Sequence, residues 1–404
     1  MQKIVVVGAG HASGQLLDSL RRGGSDAHIT LVGEESWLPY QRPPLSKKFL
    51  SGELTVERLA FRPKSFYEKH DIHTRLSCRA VSIDRAAQTV SLANGEALDY
   101  ELLALTTGGR VRKLTVPGAG LTGVHYLRGI DDALGLQADW QGRDKVCVIG
   151  GGFVGLEVAA SARRLGKNVT VIEMADRLMG RAVSPAMSGY FLGLHTRNGA
   201  HVMCSTGVTE LVGTHGRVSG IHLSDGREIP ADVVVVGIGV LPNQELAREA
   251  GLACDNGIMV DEFARTRDPK IVSAGDCTNH PNSLLGRRLR LESVHNALEQ
   301  AKSAAASLMG EQLVYAQVPW FWSDQYNSKL QMVGLSQGSD FSVQRGNPEE
   351  DKFSLFYYRG NALIAIDSVN CPGDHMAGKK LIAAGISPSP GQAADPGFPL
   401  KSLL

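Results

Sequence analysis

The sequence predicts an α/β fold: two domains built on parallel βαβ units, and a small α+β domain at the C-terminus. Two observations carry the first part. Lys3–Glu34 reads KIVVVGAGHASGQLLDSLRRGGSDAHITLVGE, and Lys145–Glu173 reads KVCVIGGGFVGLEVAASARRLGKNVTVIE. In each, a β-branched strand runs into a glycine turn, a helix and a second strand. The third observation is a change of pattern near the C-terminus, where YYRGNALIA and DSVN near Asp367 read as hairpin material. At 404 residues the chain exceeds one ordinary core, so several domains are expected.

Composition narrows the class. The chain is 43% hydrophobic and 21% charged, as globular proteins are, and its net charge of +1 gives no pull toward nucleic acid or membrane. Six scattered cysteines form neither a disulfide framework nor a zinc spacing, which fits a reducing cytosol. MQKIVVVGAG passes straight into a buried-type strand, and VVVVGIGVL, near Val233 to Leu241, is too short to span a bilayer. A cytoplasmic protein is expected.

The first glycine loop follows a run suited to a strand covered on both faces. Gly8 makes the turn, and Gly10 lets the backbone approach a pyrophosphate at the helix N-terminus. Ser13 stands at the third glycine position, small enough for close helix–strand packing. Glu34, at the end of the second strand, offers a carboxylate to ribose hydroxyls. The second loop holds all three glycines, Gly150, Gly152 and Gly155, and Glu173 ends its second strand. An acid there favours a free 2′-hydroxyl and repels a 2′-phosphate, so NADH is expected over NADPH. Arg177 and Arg181 are read as solvated surface residues. Two such Rossmann-like units imply two dinucleotides with a hydride passing between them, which suits FAD on the first loop and NADH on the second.

The ordered motifs GAGHAS, YQRPPLSK, LLALTTGGRVRKL, IGGGFVGLEVAA, GIGVLPNQEL, SAGDC, RLESVHNALEQA and PWFWSDQY run over almost the whole chain. Together they resemble the FAD-dependent ferredoxin reductases that serve bacterial P450s and aromatic-ring dioxygenases. The resemblance implies two dinucleotide-binding domains of the glutathione-reductase-like flavoprotein type. It also implies an FAD site at Gly8, Gly10, Ala12, Glu34, Lys47, Val81, Arg128, Asp276 and Val294, and an NAD site at Gly150, Gly152, Gly155, Glu157, Glu173 and Gly239. Departures from the family pattern are Ser13, Thr106, where alanine is usual, and His295, a variable position.

Roles follow for several residues. Asp276 of SAGDC is expected on the ribityl chain of the flavin. Ser293 should cap a helix over Ser293–Met309, with backbone N–H groups near Val294 facing the flavin ring. Pro43 and Pro44 should fix the backbone before Lys47. In this family the lysine lies over the flavin, and Lys47 is expected to pair with Glu157 beside it as the catalytic positioning pair. Trp320 and Trp322 alternate as on a strand, and the resemblance places Trp322 at the flavin. Arg287, Arg288, Arg290 and Lys302 form a candidate basic patch for an acidic [2Fe-2S] ferredoxin. The expected domains are a split FAD domain over 1–112 and 240–316, an NAD domain over 113–239, and a C-terminal domain over 317–404 with an extended proline-rich tail. A disulfide reductase is disfavoured, since no Cys-x-x-Cys or Cys-x4-Cys pair exists. The alternatives are an NADH oxidase or a flavoprotein of the apoptosis-inducing-factor type without a ferredoxin partner.

Overall fold

The computed structural model describes residues 2–404, which divide into two compact units. The first unit comprises residues 2–41, 57–110 and 241–317. Its centre is a five-stranded parallel sheet, ordered 271–273, 102–105, 3–7, 28–32, 72–75. Side chains alternate across a strand, and KIVVV shows the consequence. Ile4 and Val6 pack into one cluster, with Leu16, Leu17 and Leu20 of helix His11–Arg22 and Ala301, Ala304 and Ala305 of helix Val294–Leu308. Val5 and Val7 pack into the other, with Ile83, Val90 and Leu92 of a three-stranded antiparallel sheet. A strand buried on both faces has no polar alternation, which is why it reads as an unbroken apolar run.

The second unit comprises residues 42–56, 111–240 and 318–404. It repeats the parallel design, in the order 201–203, 168–172, 145–149, 233–236, 124–126. A three-stranded antiparallel sheet adds Leu211, Val218 and Ile221 to its core. The same unit carries a five-stranded antiparallel sheet, ordered 320–325, 328–334, 362–369, 352–359, 341–347. Helix Pro372–Ala384 covers one face of that sheet through Ala377 and Leu381.

One sequence expectation needs correction. The tail is not extended. Pro390–Ala394 is a short helix, closed by reciprocal bonds between Ser389 and Gln392, and Leu400–Leu403 forms a 3-10 turn. Arg345 explains the fold of this segment: its guanidinium donates to the carbonyls of Ala393, Asp395, Pro396 and Phe398, and its Nε lies 3.3 Å from Asp374. Segment 42–56 packs within the second unit. Ser161 Oγ donates to the Ser46 carbonyl (2.8 Å), Arg42 to the Arg128 carbonyl (2.8 Å) and Gln137 to the Phe49 carbonyl (2.5 Å).

A buried carboxyl in the antiparallel sheet makes stability depend on pH. Asp367 accepts a hydrogen bond from Tyr357 Oη (2.8 Å) and is 1% exposed. Burial pushes its carboxyl up to about 7. The folded chain therefore takes a proton near neutrality that the unfolded chain takes only near the ordinary carboxylate range. Stability should rise as pH falls from 8 toward 5, and be lost as pH rises through about 7, at up to about 1.4 kcal/mol per pH unit. Asp367→Asn should flatten this dependence in thermal melts; a mutant curve parallel to wild type would refute the assignment.

Candidate active site

Both glycine turns are held by the same geometry, one in each unit. Gly8 donates its N–H to the Val32 carbonyl (2.8 Å), and Gly150 donates to Ile172 (2.8 Å). Both sit at positive φ, +107° and +108°, and a methyl added to either would lie 2.2 Å from the Thr106 carbonyl oxygen or 2.5 Å from that of Gly237. The next glycine of each motif faces open space instead: a methyl at Gly10 meets nothing within 4 Å, and one at Gly152 only the Gly237 oxygen at 4.0 Å.

Helices His11–Arg22 and Phe153–Arg164 start at these glycines with no side-chain cap and no acid in the first turn. Uncapped N–H groups beside an open glycine are the donor set a pyrophosphate needs. Ala12, in the first turn of its helix, is 6% exposed, and Ser13 donates its hydroxyl to the Gly10 carbonyl (2.9 Å). Thr106, a second departure, donates to the carbonyls of Val7 (3.1 Å) and Gly8 (2.9 Å), so its hydroxyl braces the turn.

The two strand-end acids are not equivalent. Glu173 follows strand Asn168–Ile172 directly, and its oxygens accept from the N–H groups of Gly151 (2.6 Å) and Ala175 (2.7 Å). In the first unit the strand ends at Val32, so Gly33 takes the corresponding place and Glu34 stands one residue further on, exposed. A side chain at 33 would meet the Ala9 Cβ at 2.8 Å, which accounts for the offset. Arg177 donates to the carbonyls of Val183 (2.6 Å) and Gly180 (2.6 Å), so its guanidinium holds the loop.

Elsewhere in the first unit, Val81 lies on strand Ala80–Asp84 and is 45% exposed. Asp276 follows strand Ile271–Ser273 in a turn. Val294 and His295 open the helix that Ser293 caps by accepting from Asn296 N–H (3.0 Å). Of the expected docking cations, Arg287 is exposed on strand Arg287–Leu289. Arg288 donates to the Val260 carbonyl (2.6 Å) and Asn279 Oδ1 (3.0 Å). Arg290 pairs with Glu292 (2.6 Å) and Lys302 with Glu299 (2.7 Å).

The second unit brings Lys47 and Glu157 together. Pro43 and Pro44 open a 3-10 turn, Pro43–Ser46, and Lys47 leaves it with its N–H on the Pro44 carbonyl (3.0 Å). Lys47 Nζ lies 3.0 Å from Glu157 Oε1 and 3.7 Å from Asp324 Oδ2, and 5.9 Å from the Trp322 ring centroid. Glu157 is 5% exposed and fully hydrogen-bonded: Ser46 Oγ donates to Oε2 (2.5 Å) and Ser323 Oγ to Oε1 (2.6 Å). Burial raises its carboxyl above the ordinary range, while Lys47 and the two hydroxyls pull it back. Trp320 and Trp322 share one face of strand Trp320–Gln325, with centroids 5.4 Å apart. In the same unit Arg128 is half-buried and precedes helix Ile130–Asp139, its N–H on Asp132 (2.9 Å). Gly239 sits at φ +113° with its carbonyl accepting from Arg112 N–H (2.9 Å).

Sequence reasoning missed Ser46, Ser323, Gln325 and His195, all buried polar residues. The available signal was the alternation in WFWSDQ, which puts Ser323 and Gln325 on the face opposite the tryptophans.

Residues 2–301 match the pyridine nucleotide-disulphide oxidoreductase family, and residues 320–404 match the reductase C-terminal family. The chain belongs to the pyridine nucleotide-disulphide oxidoreductases. It is 48% identical to rhodocoxin reductase of Rhodococcus erythropolis, over 99% of this chain and 94% of the relative. The ferredoxin reductase for the CYP199A2 system from Rhodopseudomonas palustris superposes with a TM-score of 0.97 at 44% identity, covering 100% of this chain and 99% of that one. The putidaredoxin reductase in its covalent complex with putidaredoxin gives 0.97 at 38% identity, covering 100% and 98%. This oxidoreductase is an enzyme of the glutathione-reductase-like α/β fold, and its cofactors are FAD and NAD(H). The uncapped helix starts, the open glycines and the strand-end acids fit both. Despite the family name, all six cysteines are free among the described residues. No helix among the described residues is long and apolar enough to cross a membrane.

Proposed function

We propose that the chain is an NADH-dependent reductase that feeds a [2Fe-2S] ferredoxin of a P450 or ring-hydroxylating dioxygenase system, with Lys47 and Glu157 as its positioning pair. When bound, the two dinucleotides would supply hydride transfer from NADH to FAD and one-electron transfer on to the ferredoxin. The observation that carries the reading is the pair of half-buried Lys47 and buried Glu157 beside Trp322, with no cysteine among its partners. Such a site can orient two rings and steady charge, but it has no thiol to hold a pair of electrons. The electrons therefore go to an outside carrier, as in the relatives named for ferredoxins.

In this reading residues 1–112 and 240–316 hold FAD, 113–239 hold NADH, and 317–404 form the C-terminal domain. Gly8, Gly10, Ala12, Glu34, Lys47, Val81, Arg128, Asp276, Val294 and Trp322 serve FAD. Gly150, Gly152, Gly155, Glu157, Glu173 and Gly239 serve NADH. Glu173 keeps a fixed negative charge at the strand end, where a 2′-phosphate would be repelled. Arg177 donates to two carbonyls of its own loop, which hold its guanidinium there. The ferredoxin docks by way of Arg287, Arg288, Arg290 and Lys302. Arg290 and Lys302 share their charge with glutamates, so docking should respond to salt less steeply than four unpaired cations would. Free cysteines among the described residues support a cytoplasmic enzyme.

Anaerobic mixing tests the assignment. NADH should bleach the bound flavin far faster than NADPH, and colour should return on adding oxidised ferredoxin, more slowly as salt is raised. Equal reduction by both nucleotides, or a flavin that stays bleached when oxidised ferredoxin is added, would overturn it.

A further inference from the structure

The carboxylate of Glu157 is reached by a buried hydrogen-bonded chain whose direction is forced. An ionised carboxylate only accepts, so Ser323 Oγ, 2.6 Å from Glu157 Oε1, must donate to it. The serine oxygen then accepts, and Gln325 Nε2 donates to it at 3.1 Å. That fixes the amide: Gln325 turns its oxygen to His195 Nε2, 2.8 Å away, which must carry the proton. His195 Nδ1 is left bare and faces Tyr326 Oη at 3.3 Å. Every link donates toward Glu157. Ser323, Gln325 and His195 are all 0% exposed, so no water competes for these groups. Burial lowers the pKa of His195, in keeping with a neutral ring that has one N–H to give.

We infer that His195, on helix Pro185–Arg197, is a positioning residue for hydride transfer: through Gln325 and Ser323 it sets the hydrogen bond that keeps Glu157 ionised opposite Lys47. Without the imidazole, the Gln325 amide loses the acceptor–donor contact that orients it. If it turns its oxygen toward Ser323, the serine donates to the amide and abandons Glu157. The carboxyl, already raised by burial, then rises further, and Lys47 faces a neutral acid. The charged groups around the chain are Lys47 and Asp324 at the Glu157 end, and Arg163 and Arg164 acting on Tyr326 at the other. Neither arginine contacts Glu157.

The inference rests on the reading of Lys47 and Glu157 as the pair that serves the reaction. It is tested with His195→Leu, His195→Gln and Gln325→Leu in the FAD-loaded protein. The infrared band of a protonated carboxyl, assigned to Glu157 by its loss in Glu157→Gln, is followed against pH. In His195→Leu the band should titrate about one pH unit higher, a tenfold larger ratio of protonated to ionised acid at a given pH, whereas Gln325→Leu, which leaves Ser323 no acceptor but Glu157, should stay near wild type. His195→Gln, which restores an N–H toward Gln325, should return it toward wild type. The pH profile of flavin reduction by NADH should move by the same amount, with the KM for NADH little changed. A Glu157 band that titrates as in wild type in His195→Leu would overturn the inference, as would Gln325→Leu or His195→Gln shifting it as far as His195→Leu. A shifted band with an unmoved rate profile would overturn the role in the reaction and place the fault in the reading of the pair.

Discussion

Replacing Lys47 by methionine should slow reduction of the bound flavin by NADH about 100-fold, with a much smaller change in NADH binding. Methionine keeps much of the side chain's length and apolar stem but removes the ammonium. In the native site that ammonium is held 3.0 Å from Glu157, 3.7 Å from Asp324 and 5.9 Å from the Trp322 ring centroid. A cation fixed from three sides is pre-organised for charge that develops during hydride transfer. Removing one such electrostatic partner typically costs 100-fold or more in the chemical step. The loss does not stop at Lys47, because Glu157 is buried and would be left without its cation. Stripping one member of a buried pair costs about 3–5 kcal/mol when the other stays charged. Here burial already raises the Glu157 carboxyl, so the acid would take up a proton and limit the loss of stability. Anaerobic stopped-flow reduction, with a thermal melt as control, separates the two effects. An unchanged rate would remove Lys47 from the reaction.

The contrast between what the sequence revealed and what it hid follows from the range of the interactions. The glycine turns and the 352–359/362–369 hairpin were legible because strand, turn and partner lie close in sequence. The Lys47–Glu157 pair joins residues far apart in sequence, and only the resemblance to a family pointed to it. His195, Gln325 and Ser323 were invisible for the same reason, with the added difficulty that serine and glutamine usually mark solvent. The tail misled because its proline and glycine content suggests an extended chain. Its order comes from Arg345, some 50 residues away in sequence, whose guanidinium satisfies the tail's own carbonyls. In the docking patch the charges are visible in a sequence, but the pairing of Arg290 with Glu292 and of Lys302 with Glu299 is not.

The third position of the two glycine motifs makes a sharper test of how local geometry governs the site. Serine is accommodated in the first loop and should be ruinous in the second. Ser13 is fully buried, and its hydroxyl is satisfied by the Gly10 carbonyl (2.9 Å). At Gly155 an added Cβ would lie 2.2 Å from the Gly150 carbonyl oxygen and 3.2 Å from Val148 Cγ1. The first of these is backbone, so no rotation of a side chain relieves it. The start of helix Phe153–Arg164 must retreat from its strand, carrying Gly152 and Glu157 with it. A displacement of about 1 Å at such a site can cost 100-fold in rate. Gly155→Ser should therefore raise the KM for NADH and slow flavin reduction by about that factor or more. FAD content should hold, because the first glycine loop lies in the other unit. Ser13→Gly should retain both nucleotides, losing one buried hydrogen bond worth about 1 kcal/mol in thermal stability. If Gly155→Ser reduced its flavin at the wild-type rate and NADH concentration dependence, the close approach of helix and strand would not govern nicotinamide binding.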